Sequence, residues 1–98
     1  MSWQVNQKPT ATNTVVTLNG TTFTTLLSAN RDRIFLSVTN PTVYDIYVNL
    51  CATADGVTGT GIWIPAGSGL MLDANAMYTG EICAISATGT PSVAVCEF

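Results

Sequence analysis

Residues Arg33 to Pro65, RIFLSVTNPTVYDIYVNLCATADGVTGTGIWIP, decide the fold. Ile34, Leu36 and Val38 alternate with Phe35, Ser37 and Thr39, and Asn40-Pro41-Thr42 then breaks the run. Proline carries no N–H for a ladder and biases its predecessor away from helix, so the break is a turn. Tyr44, Ile46, Val48 and Leu50 alternate next with Asp45, Tyr47 and Asn49. After a Gly-bearing loop over 52–60, Gly61 to Pro65 repeats the pattern, with Ile62 and Ile64 on one side and Trp63 on the other. A period of two is the strand period, since successive side chains point to opposite faces.

The same grammar extends outward. Thr14-Val-Val-Thr-Leu18 is β-branched and ends at Asn19-Gly20. Asn-Gly favours the positive φ angles of a type I′ turn, so a hairpin with a return strand over 21–27 is expected. Short strands follow at 70–73, 81–86 and 92–98, with turns at 28–32, 66–69 and 88–91 and a connection over 74–80 in which Ala74 to Met77 could make one helical turn. No segment keeps a helical period. About eight short strands at intervals of roughly 8–12 residues predict an all-β antiparallel sandwich or barrel, jelly-roll-like in strand number. The last strand has no tail after it and is expected to pair inside the fold.

The chain has 98 residues, enough for one domain. We divide it into a polar N-terminal arm over 1–13, carrying Pro9 with Trp3 and Val5 as its apolar anchors, and a β domain over 14–98. Only 9% of residues are charged, against about 25% in an ordinary globular domain. Neutral polar surface sheds its water at low cost and suits protein–protein packing.

That composition also excludes function classes. The cations are Lys8, Arg31 and Arg33, and the formal net charge is −3. Neutralising nucleic-acid phosphates or holding an anionic membrane takes a cluster of cations, so neither is an expected partner. No apolar run approaches the roughly 20 residues of a membrane span. The first ten residues lack a hydrophobic signal core, so no secretion signal is expected. Cys51, Cys83 and Cys96 are odd in number and form no C-x-x-C pair, so we expect three reduced, buried thiols and no zinc.

Catalysis finds little to work with. The chain has no histidine, hence no imidazole acid–base and no ordinary triad. Two of the six carboxylates, Asp32, Asp45, Asp55, Asp73, Glu81 and Glu97, could pair for glycoside hydrolysis, but their spacing reads as turns and strand ends. Asp55 in its glycine loop is a weak calcium candidate. The glycines lie between strands, not ahead of a helix, and serve turns rather than phosphates. We therefore expect no enzyme, cofactor or metal. Trp63, Tyr44, Tyr47 and Tyr78 could face a sugar, though aromatic residues serve cores and interfaces more often. Trp63, out of phase with Ile62 and Ile64, is expected to point outward as an interface anchor. Arg31-Asp-Arg33 reads as a solvated turn or as an ionic subunit contact. The candidate interface residues are Trp3, Val5, Arg31, Arg33, Tyr47 and Trp63.

Arg33-Ile-Phe-Leu-Ser-Val-Thr-Asn-Pro, Asp45-Ile-Tyr-Val, Gly61-Ile-Trp-Ile-Pro-Ala-Gly, Tyr78-Thr-Gly-Glu-Ile-Cys-Ala-Ile and Val93-Ala-Val-Cys-Glu-Phe together resemble small virion proteins of tailed phages and prophages. The resemblance spans 29–98. It implies a head decoration (cement) protein, a head-fibre base or a tail-associated module. The expectation is a capsid decoration protein assembled in the host cytoplasm and resident in the virion. It would form a symmetric homo-oligomer, with a trimer as one candidate. Its partner would be the major capsid protein or another virion protein. A receptor- or glycan-binding module of a tail or fibre is the alternative.

Overall fold

Strands form where the alternating runs lie. A computed structural model, which describes residues 11–73, 75 and 77–98, shows β1 (Thr12–Thr17), β2 (Thr24–Leu27), β3 (Leu36–Thr39), β4 (Ile46–Asn49), β5 (Ile62–Ile64), β6 (Gly69–Leu72), β7 (Ile82–Ser86) and β8 (Ser92–Glu97). Sheet A has the order β1-β8-β3-β6 and sheet B the order β2-β7-β4-β5. All pairs are antiparallel.

The pairing is nested. β4 pairs with β5, β3 with β6, β2 with β7 and β1 with β8. The partners sit almost symmetrically about the 3₁₀ turn at Thr53–Asp55. The chain is thus one long hairpin with that turn at its apex, rolled up so that β3 meets β8 and β4 meets β7. Eight strands wound this way are a jelly roll, the architecture expected from the sequence. As expected, the last strand pairs inside the fold, between β1 and β3.

Alternation explains the core. Leu36, Val38, Ile46, Val48, Ile64, Ile82, Ala84, Val93 and Val95 point between the sheets and are buried. Each fully buried Val, Leu or Ile contributes about 1.5–3 kcal/mol. Tyr44 and Leu50 share the phase of Ile46 and Val48, yet both are exposed, because β4 stops at Ile46 and Asn49. Ile34 likewise precedes β3 and is half-buried.

Asn19-Gly20 departs from expectation. β1 and β2 lie in different sheets, and among the described residues no non-glycine has a positive φ, nor does Gly20. Asn19 Oδ1 instead accepts from the backbone N–H groups of Thr21 (2.9 Å) and Thr22 (2.8 Å). This Asx turn sends the chain across the sandwich instead of back along β1. The β-branched edge of β1 finds its partner in β8, and Leu18 N–H donates to the Pro91 carbonyl at 2.8 Å. β1 begins at Thr12, so the strand takes in two residues of the segment assigned to the arm. The single helical turn expected at 74–77 falls partly outside the described residues.

The loops divide between two ends, each tied by one buried polar side chain. At the end holding the β1–β2, β3–β4, β5–β6 and β7–β8 connections, Asn40 is fully buried. Its Nδ2 donates to the carbonyls of Tyr44 (2.6 Å), Ile64 (3.3 Å) and Pro65 (3.4 Å), and its Oδ1 accepts from Thr42. At the other end stands Arg33, only 2% exposed. Its Nε pairs with Glu97 Oε2 at 2.7 Å, and its guanidinium donates to the carbonyls of Ser28, Tyr78 and Gly80. The β2–β3 loop, the β6–β7 loop and the end of β8 are thereby locked together. Arg31, Asp32, Arg33, Asp55, Asp73, Glu81 and Glu97 all belong to this second end. Asp45 is the one described charge at the first.

Candidate functional site

Among the described residues, the outer face of sheet A carries no charge. Register assigns its residues: Asn13, Val15 and Thr17 from β1, Ser92, Ala94 and Cys96 from β8, Ser37 and Thr39 from β3, Gly69 and Met71 from β6. The two central strands contribute only small side chains here, while the edge strands carry Val15 and Met71. The face is therefore hollow in the middle and raised at the rims. The hollow measures about 410 Å³ and runs over Asn13, Val15, Ser37, Thr39, Ala94 and Cys96. Val15 is 72% exposed and Met71 67% exposed. Thr17 and Ser92 satisfy one another through their hydroxyls at 2.8 Å. Such a face can exclude water without stranding an ion.

Sheet B presents a different surface. The β4–β5 loop folds back over β7, so the outward-pointing Cys83 and Ile85 are buried. Asn49 holds that loop: its Nδ2 donates to the Thr60 carbonyl at 2.9 Å, and its Oδ1 accepts from Val57 N–H and the Thr60 hydroxyl. Gly56 rests against the Phe23 ring with no room for a side chain. Beyond the loop, Tyr47 and Trp63 stand directly opposite one another on β4 and β5. Trp63 is 57% exposed, pointing outward as its phase predicts, and Tyr47 is half-buried.

The remaining candidates scatter. Trp3 and Val5 lie outside the described residues. Arg31 is exposed in the β2–β3 turn. Arg33 requires correction: it is consumed inside the fold by Glu97 and three carbonyls, so it offers no ionic contact to a neighbour. Of the four that are described, the structure pairs Tyr47 with Trp63. The face of sheet A was missed, although its signal was present: Ser92, Ala94 and Cys96 are the small partners alternating with buried Val93 and Val95.

All three cysteines are free thiols; Cys83 is buried, whereas Cys51 and Cys96 are only half-buried. Burial, then the adjoining Cys51, then the negative charges of Glu81 and Asp55 push the Cys83 thiol up to about 12. Among the described residues no three Cys, Asp or Glu side chains gather as a metal site requires. No described helix is long and apolar enough to cross a membrane.

The fold and this face define a jelly-roll domain with one uncharged, hollow sheet surface. No family model and no curated protein matches the chain.

Proposed function

We propose that this chain is a non-catalytic structural component of a phage particle, a decoration protein that binds the capsid shell through the outer face of sheet A. The observation that carries the reading is the absence of charge across that face, with Val15 and Met71 standing exposed at its rims. Two further features support it: the strand-by-strand resemblance to small virion proteins, and the jelly roll, a fold that capsid and lectin domains use.

Magnitudes shape the proposal. Four strands about 4.8 Å apart, two of six residues and two of four, make a face of roughly 300 Å². A stable interface uses about 800 Å² per partner. One face therefore supplies weak binding, and a homo-oligomer that seats several faces on the shell gains the rest by avidity. Binding of this kind stabilises the assembled shell by mass action.

Cosedimentation with empty shells tests the reading. The chain should pellet with shells and raise their resistance to heat. Retention on host cells or glycans without shell binding would favour the receptor- or glycan-binding reading instead. That second reading draws on one observation, the exposed indole of Trp63 beside Tyr47. A Trp63→Ala variant should then lose retention while its fold is kept.

A further inference from the structure

We infer that Cys51 and Cys83 form an oxidation site, closed into an intramolecular disulfide by a two-electron thiol oxidant such as hydrogen peroxide. Sheet register places the pair. Asn49 lies opposite Cys83, and Cys51 follows two residues later, just past the end of β4. Diagonal neighbours on a regular sheet have Cβ atoms roughly 7–8 Å apart or somewhat less, while a disulfide needs about 3.5–4.5 Å. β4 ends at Asn49, and the following loop, held by the Asn49 side chain, packs its 3₁₀ turn against β7, so Cys51 is not held at the diagonal spacing of a regular ladder. After burial, the adjoining Cys51 is the strongest influence on the Cys83 thiol. Cys83 Sγ also lies 3.7 Å from the Asn49 carbonyl, to which it donates.

Exposure orders the chemistry. Cys51 is half-buried and Cys83 is buried, so a dissolved oxidant meets Cys51 first. Transfer of one peroxide oxygen to the Cys51 sulfur gives a sulfenic acid and one water. The Cys83 sulfur then loses its proton and attacks the Cys51 sulfur. The S–S bond forms, hydroxide leaves, and the released proton makes it a second water. Two electrons pass from the sulfurs to the peroxide. Cys51, Glu81 and Asp55 are the titratable groups around Cys83, and all three disfavour its thiolate, so closure should accelerate as pH rises. Cys96 projects from the opposite sheet and cannot join the pair within one molecule. The site stands independently of the assembly reading.

The test is a Cys96→Ser variant treated with hydrogen peroxide, then denatured for thiol titration and chymotryptic mapping. Cleavage after Trp63 and Tyr78 separates the two cysteines. The expected product is a monomer with no titratable thiol, a Cys51–Cys83 cross-linked peptide, and full recovery of both thiols with a dithiol reductant. Closure should quicken by up to roughly tenfold per pH unit below the Cys83 pKa. Two thiols surviving, sulfinic acid on Cys51 beside a free Cys83, or cross-links only between chains would overturn the inference. The unsubstituted chain, mapped in the same way, must show the same linkage, which keeps the test valid should the variant fail to fold.

Discussion

At the residue scale, three side chains hold the ends of the roll. Arg33 and Glu97 are 64 positions apart and form an ion pair in which Arg33 is fully buried and Glu97 18% exposed, the other guanidinium donors reaching three backbone carbonyls. Removing one partner of a buried pair typically costs about 3–5 kcal/mol because the other charge is stranded. Arg33→Ala should lower the unfolding free energy by about 3 kcal/mol, measured by equilibrium denaturation, the low end because Glu97 keeps some contact with water, and Arg33→Lys should recover little, since an ammonium cannot match the guanidinium fork. Asn40→Ala should cost about 1–3 kcal/mol in the same assay, as it leaves buried backbone groups without partners. Gly61 sits at φ +88°, with the Val48 carbonyl oxygen where a Cβ would go. Neither the Arg33–Glu97 pair nor the Gly61 contact was legible in the sequence. Arg31-Asp-Arg33 looks like a surface cluster because its decisive partner arrives from the far end of the chain. Cys83 gives a pH prediction at this scale. Its folded pKa lies above its ordinary value of 9.0, so the folded state retains a proton that the unfolded state releases. Its contribution is present below pH about 9 and is lost as pH rises towards about 12. Thermal stability should fall across that window, and Cys83→Ala should flatten the slope.

At the element scale, the strands were legible because each buries one side and alternation records it. Leu36 and Val38, Ile46 and Val48, Ile62 and Ile64, and Val93 and Val95 all face inward as their phase predicts. Strand length was less legible: Tyr44 and Leu50 keep the alternation but sit beyond the ladder. Partners were not legible at all. Asn19-Gly20 carries the chemistry of a tight hairpin, yet an Asx turn forms there and β1 pairs with β8 and not with its sequence neighbour. Asn19→Ala should therefore destabilise the β1–β2 connection by about 1 kcal/mol or less without changing sheet order. An NMR map of cross-strand amide contacts that showed β1 paired with β2 would contradict the nested arrangement.

At the scale of the whole molecule, the distribution of charge matters more than its amount. The sequence announced a nearly neutral surface, and the fold adds where the neutrality falls. Seven of the described charged residues stand at one end, and none of them lies on the outer face of sheet A. The six candidate residues did not include that face, because small side chains such as Ala94 and Ser37 mark an interface only once four strands align them. Binding through such a face gains from excluded water, not from ion pairing, so it should change little between low salt and about 1 M salt. The most direct measurement is shell cosedimentation of the chain against a Val15→Asp, Met71→Glu double variant. Both substitutions fall on exposed positions, so the fold and its unfolding midpoint should be unchanged. The account predicts salt-insensitive pelleting of the natural chain and loss of pelleting by the variant. Equal pelleting by both would contradict it.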